Sequence, residues 1–348
     1  MIKHVYPRDQ KHNGVSLYGD YIDNLLPKVT QPEGEVSHFE IGYTGPPELW
    51  QAYQQARQKP AVPYVVTLHD PPGVVGRPYE RYLPGRDFFS KSLRKTLDLT
   101  LGRVIIQRVV REAAAVIVLN PLAKPALIER YGLSAAKLFD SPLPVLTPLP
   151  AATKHDDKTL RLLFFGNVSE RKGVDILLQA CLKAGDQMQA VDWRLDVAGG
   201  FAGDHQYEQQ LRFRIKESAL AEHVELHGFV TEQKLADLIT QADIIILSYD
   251  DSGIIHASGP LTTSLAAGRA VIATDIPIFA ADIRDGYNGL LFPSGDIERL
   301  AAALIKLAAD PTLRAKLGAA AADTIRRGHD DSTIIASLNK VYRSIRTS

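Results

Sequence analysis

Apolar residues along the chain fall into two kinds of run that take turns. Short runs of strand length occur at 1–6, 36–41, 62–68, 115–119, 162–165, 193–198, 224–226, 243–248 and 270–274. Those at 243–248 and 270–274 show no polar alternation, the pattern of parallel strands buried on both faces. Between the runs, apolar positions recur at helical spacing, as in Leu17, Tyr18, Tyr21, Ile22, Leu25 and Leu26 before Pro27. The same period predicts helices over 47–57, up to 113, over 121–131, from 174, over 207–219, up to 240, and over 297–308, 311–327 and 332–345. Strand and helix alternate on both sides of a proline-rich stretch, 142–157, which lacks periodicity and reads as a linker. The predicted class is α/β, with two Rossmann-like doubly wound parallel-sheet domains facing each other across a cleft.

The stretch around 243–275 is the most completely punctuated. Ser258 or Gly259 can cap a helix, Pro260 suits its first turn, and Gly268 suits a left-handed C-terminal cap. The loop 249–259 then lies at the carboxyl end of a parallel strand and empties into a helix N-terminus, whose dipole and N–H groups favour a phosphate. By spacing alone the unit is equally an ordinary piece of a doubly wound domain.

Composition narrows the partners. At 348 residues the chain exceeds the size at which one core keeps growing, so two domains are expected. Forty basic and forty acidic side chains cancel, which argues against nucleic acid held by bulk charge. The single cysteine, Cys181, excludes a disulfide framework and a cysteine-rich metal site. Residues 1–9 lack the apolar core of a signal peptide, and no apolar run reaches spanning length, so a cytoplasmic protein is expected.

Four places carry candidate chemistry. Gly14 stands between the first strand and the first helix, where it serves either as a simple turn or as a close approach to a ligand. His69 and Asp70 end the strand 62–68 and face a crevice if they are more than a loop detail. Residues 77–95 hold Arg77, Arg81, Arg86, Lys91, Arg94 and Lys95 against Glu80 and Asp87, interleaved with Tyr79, Tyr82, Phe88 and Phe89. This is either a surface for an anionic membrane, at about 1 kcal/mol per base, or a solvated face over a buried aromatic stripe. Finally, Arg171 and Lys172 sit in the glycine-bounded turn 166–173 that opens a helix, well placed to hold a pyrophosphate.

The C-terminal half resembles the donor domain of GT-B glycosyltransferases, in particular family 4, glycosyl transferases group 1. The resemblance rests on six pieces in order: Phe-Gly-(x)4-Arg-Lys-Gly at 165–173, Val-Ala-Gly-Gly at 197–200, His-Gly-Phe-Val at 227–230, Ala-Asp-Ile-Ile-Ile-Leu-Ser at 242–248, Ala-Ala-Gly-Arg-Ala-Val-Ile-Ala-Thr-Asp at 266–275 and Asn-Gly-Leu-Leu-Phe at 288–292. The N-terminal half is similar only in outline, through 13–18 and the His69-Asp70 strand end. The resemblance implies an acceptor-side domain at 1–150, a nucleotide-sugar donor domain at 151–330, and a C-terminal helix, 331–348, packing back toward the first. It implies donor contacts at Gly14, Arg171, Lys172, Phe229 and Val230, with catalysis near His69 and Asp70. Asn167 replaces a frequent arginine, and Ile255 and Thr263 stand where the family's Glu-x7-Glu signature would fall. The loop resembles instead a variant with Ser258-Gly259 at the helix start, which would leave the diphosphate to N–H groups and to the hydroxyls of Thr262 and Thr263.

The expected activity is transfer of a hexose, such as mannose from GDP-mannose or glucose from a UDP-sugar, to a glycan or lipid-linked acceptor in cell-surface polysaccharide synthesis. A helix dipole with Arg171 and Lys172 demands no divalent metal, and no cofactor beyond the nucleotide sugar is implied. Contact with the anionic inner membrane face would run through 77–95. A non-catalytic nucleotide-sugar-binding partner and a GT-B nucleotide-sugar epimerase are the rivals. Anomeric stereochemistry stays open.

Overall fold

The computed structural model describes residues 1–8, 14–42, 46–58, 62–71, 103–147, 149, 159–188, 192–201, 204–251 and 255–345. The basic aromatic stretch 77–95 and most of the linker 142–157 lie outside them. The chain divides into two compact units, the first made of 1–146, 253–257 and 329–348, the second of 147–252 and 258–328.

Unit 1 is built on a parallel sheet of β1 (Ile2–Val5), β2 (Val36–Ile41), β3 (Tyr64–Leu68), β4 (Ala115–Val118) and β5 (Leu138–Asp140), in that order. Side chains alternate between its faces. Phe39, Ile41, Tyr64, Val66, Val116 and Val118 pack with the helices Pro46–Gln55, Arg103–Glu112 and Lys124–Tyr131, while Val36, Val65, Ala115 and Ile117 pack with Gly14–Leu25 and Asp331–Ser344. With both faces covered, β2, β3 and β4 bury every residue.

Unit 2 holds six parallel strands, β6 (Leu160–Phe165), β7 (Trp193–Ala198), β8 (Val224–Gly228), β9 (Ile244–Leu247), β10 (Ala270–Thr274) and β11 (Leu290–Phe292). Their order is β11-β10-β9-β6-β7-β8. The winding therefore reverses between β6 and β9, the place where open α/β sheets bind ligands beyond their carboxyl ends. Among the described strands only unit 2 shows this reversal, since unit 1 runs in sequence order.

Three local features depart from the sequence pattern. β5 has three residues, too few for periodicity to register. The expected helix 121–131 opens as a 3-10 turn, Pro121–Ala123, whose Leu122 N–H is taken by the Asn120 side chain. A short helix, Pro277–Ala280, follows β10.

Candidate functional site

At the carboxyl end of the unit 2 sheet the loops are locked together through glycine. A Cβ on Gly173, at φ +64, would lie 1.9 Å from the Ser248 carbonyl oxygen, and one on Gly199 would lie 1.7 Å from that of Gly166. Only glycine permits such approach. The Ser248 hydroxyl donates to the carbonyls of Gly173 at 2.8 Å and Lys172 at 3.2 Å, and Asp250 N–H donates to Arg171 O at 2.9 Å. The turn carrying Arg171 and Lys172 is thereby fixed to the end of β9.

The two cations are held differently. Lys172 Nζ lies 3.5 Å from the centroid of the buried Tyr249 ring, a cation–π contact, while Arg171 Nε lies 3.8 Å from Asp250 Oδ1. Arg171 keeps part of its side chain in solvent, so its pairing with Asp250 is weak and exchangeable for a more highly charged partner.

Beside this turn starts the helix Gly259–Ala266; a Cβ on Gly166 would stand 3.4 Å from Pro260 Cγ. Its first turn has few donors left. Pro260 has no N–H, Leu261 N–H is taken by the capping Ser258 Oγ at 3.3 Å, and Thr262 N–H bonds to Ser258 O at 3.0 Å. Gly259 N–H remains without a partner among the described residues, and the space a side chain there would fill is open. This narrows the expectation at Thr262 and Thr263. Both are buried, and the Thr262 hydroxyl donates to the Ser258 carbonyl at 2.8 Å, so its proton is already committed inside the helix.

Phe229, just past β8, is 74% exposed, and its Cβ would stand 3.9 Å from a Cβ on Gly200. An aromatic face this exposed beside the glycine pair suits stacking with a planar ring, whereas Val230 is half-buried against the core of Leu163, Phe165 and Ile245. A cavity of about 350 Å³ adjoins the same turn at Gly173, Ser248 and Asp250 and is further lined by Glu170, Asp175 and Arg214. Three carboxylates against one guanidinium make it a poor place for a diphosphate, whereas the Arg171, Lys172 and Gly259 side of the loop suits an anion.

In unit 1, Gly14 begins the first helix, and a Cβ on Gly42, at the end of β2, would meet Val15 Cγ2 at 2.5 Å, His69 Cβ at 3.6 Å and Asp70 Oδ2 at 3.7 Å. Gly14, His69 and Asp70 are thus gathered at one end of the sheet. Behind them lies a network that the sequence pattern conceals. His4, His38, Glu40 and Thr67 come together beneath the first and last helices, with His4 opposite His38 and Glu40 opposite Thr67 in register. Glu40, wholly buried, faces His4 Nε2 at 3.0 Å and His69 Nε2 at 2.9 Å, with His38 Nε2 3.4 Å away. Burial acts to raise its pKa, yet His38, His4 and His69 hold the carboxyl well below the usual range.

His4 also faces Asp23 Oδ1 through Nδ1 at 2.7 Å. Burial opposes its charge, but the bonds to Asp23 and Glu40 prevail and raise it to about 9. His38 lies between the Tyr342 hydroxyl and Thr67 Oγ1, each at 2.7 Å, and burial lowers it to about 4. Donor atoms of His4, His38 and Glu40 lie within 4.8 Å of one another, as do those of Asp196, Glu225 and His227. Within each group atoms are hydrogen-bonded to one another, His4 to Glu40 and His227 to Asp196, and His38 also reaches Thr67.

A family model described as glycosyl transferases group 1 matches residues 147–324, more than half of the chain. Phosphatidyl-myo-inositol mannosyltransferase of Mycobacterium leprae is 29% identical over 265 residues, 75% of this chain and 67% of that protein. D-inositol 3-phosphate glycosyltransferase of Pseudarthrobacter chlorophenolicus is 27% identical over 249 residues, 68% of this chain and 58% of that protein. The matches thus span about two thirds or less of these curated relatives' own length. HepE of Anabaena, solved in complex with UDP and glucose, superposes with a TM-score of 0.67 at 16% identity, covering 99% of each chain. The structural likeness shows the GT-B fold.

Proposed function

The chain belongs to the glycosyl transferases of group 1, and from that premise we propose that it moves a hexose from a nucleotide-diphosphate sugar to a glycan or lipid-linked acceptor in cell-surface polysaccharide synthesis. GDP-mannose and UDP-glucose are the donors to try first, since one relative is a mannosyltransferase and HepE is solved with UDP and glucose.

In this reading the bond from the anomeric carbon to the diphosphate oxygen breaks, and its electron pair leaves with the diphosphate. The growing charge is met by Arg171 and Lys172, carried on a turn whose backbone is fixed before the reaction, and by the Gly259 N–H. These cations supply the stabilisation without a divalent metal. Phe229 and Val230 border the nucleobase. Gly14 allows a donor phosphate to come near, and His69 with Asp70 takes the proton of the acceptor hydroxyl. The observation that carries the assignment is a pair of neighbouring cations tied by backbone to Ser248 and Asp250, beside an open helix start.

No helix among the described residues is long and apolar enough to cross a membrane. A lipid-linked acceptor would be met at an anionic surface, for which the basic aromatic composition of 77–95 is suited, at the inner membrane face.

Thermal-shift screening against GDP, UDP, ADP and TDP tests the donor side. One of them should raise the melting temperature, because a ligand of the native state alone stabilises it. Incubation with the matching sugar nucleotide and an acceptor extract should then release that diphosphate in step with glycosylated product. Isomerised donor without acceptor, or binding without release, would replace transfer by the epimerase or the binding-partner reading.

A further inference from the structure

We infer that Tyr249 is a positioning residue of the donor site: its buried ring is a fixed platform that holds the Lys172 ammonium for the diphosphate without cancelling its charge. The inference rests on the reading of Lys172 as a diphosphate contact and adds the group that places it.

The two cations of the turn are restrained by different chemistry. Arg171 faces a carboxylate, Asp250, whose negative charge opposes any anion that arrives. Lys172 Nζ instead lies 3.5 Å from the centroid of the Tyr249 ring. A ring face attracts a cation through its quadrupole and carries no net charge, so the ammonium keeps its full positive charge for a ligand. A lysine side chain is also among the costliest to immobilise. When the ring already holds its head group in the free protein, that ordering no longer counts against binding.

The platform itself has little freedom. Tyr249 is 3% exposed and packs on the buried Phe279, with ring centroids 4.9 Å apart. The backbone on both sides of it is tied to the turn that carries Lys172. The Ser248 hydroxyl donates to the carbonyls of Lys172 and Gly173, and Asp250 N–H donates to Arg171 O. Ring and lysine are thereby set against each other by three hydrogen bonds as well as by their own contact. The Tyr249 hydroxyl is buried, 3.9 Å from where a Cβ on Gly166 would stand, and makes no hydrogen bond of standard geometry among the described residues. The ring face, not the oxygen, is therefore what this position contributes.

Calorimetric titration of UDP and of GDP into the full chain compares Tyr249→Phe, which keeps the face, with Tyr249→Leu, which removes it and keeps apolar bulk. The Leu variant should bind whichever nucleotide binds the parent about tenfold more weakly, and the Phe variant should recover that affinity to within about twofold. A purely structural role would also weaken binding, so the deciding readout is Tyr249→Leu made in Lys172→Ala. If the ring acts through the lysine, the second substitution has no further effect there, whereas general damage to the site would add in full. Carbon-13 NMR of the lysine-labelled full chain, with Lys172 assigned through Lys172→Ala, needs no variant of Tyr249 to fold. The protons beside the Lys172 ammonium should lie upfield of those of lysines in water, as they do over an aromatic face. Equal losses in the Leu and Phe variants, additive losses in the cycle, or an unshifted Lys172 would overturn the inference. If Lys172→Ala binds the nucleotide as the parent does, the reading of Lys172 fails and takes the role of Tyr249 with it. If Lys172→Ala loses affinity and Tyr249→Leu does not, the role of Tyr249 falls alone.

Discussion

His69 and Glu40 sit in one hydrogen-bonded unit, yet only the first was visible in the chain's pattern. A histidine where an apolar run ends invites attention. Glu40 lies within the run Val-Ser-His-Phe-Glu-Ile, whose polar residues at 38 and 40 alternate with apolar ones, and that alternation ordinarily means a solvent-facing side. Here the side is covered by two helices, one from the far end of the chain, so burial at 38 and 40 is a tertiary fact. Its consequence is a pH window. The folded value of His4, about 9, lies above its ordinary 6.5, so its contribution is complete below about pH 6.5 and is lost as pH rises through 9. His38, lowered to about 4, works in reverse: the unfolded chain takes up a proton first, and stability falls as pH drops from 6.5 toward 4. Glu40, held down, adds to the acid loss. Unit 1 should therefore melt highest near pH 6.5, and His4→Gln should abolish the decline between pH 7 and 9 while lowering the maximum. Melting curves against pH check this; an unchanged alkaline decline in the variant would refute it.

Among the elements, the helix Gly259–Ala266 was readable from the capping serine and the proline after Gly259, and the structure places its ends where those signals stand. What they did not reveal is how the first turn spends its donors, because that depends on side-chain rotamers, so the hydroxyls of Thr262 and Thr263 appeared available when they are buried. Ser258→Ala should cost about 0.5–2 kcal/mol by removing the cap. Ser258→Asp separates the cap from the ligand: it caps as well and suits the helix dipole, but sets a negative charge where the diphosphate is to sit. The Asp variant should keep the parent melting temperature and lose most nucleotide affinity. Equal affinity in the two would place the anion elsewhere. β5 and the Pro277–Ala280 helix escaped detection for the plainer reason that three or four residues hold too little periodicity.

At the scale of the molecule, two rounds of strand and helix were legible because parallel strands buried on both faces leave long apolar runs in the chain. The assignment of 253–257 and of the last helix to unit 1 was not written in any local pattern. That helix supplies Ile334, Leu338, Val341 and Tyr342 to the core beside Tyr18 and Ile22, at roughly 1.5–3 kcal/mol each, and its Tyr342 hydroxyl meets His38. Ending the chain after Gly328 should thus lower or abolish the calorimetric transition of unit 1 and leave that of unit 2 in place. Loss of both together would mean that the units do not unfold independently.

In the proposed donor site, Arg171 and Lys172 receive the diphosphate at the carboxyl end of the unit 2 sheet. Calorimetric titration of UDP and of GDP into the full chain and into Arg171→Ala/Lys172→Ala addresses it without assuming an acceptor. Two charge-assisted contacts at about 1.5–3 kcal/mol each correspond to a loss of at least about 10²-fold in affinity for whichever nucleotide binds the parent chain. Equal affinity in the parent and the double variant would contradict the account.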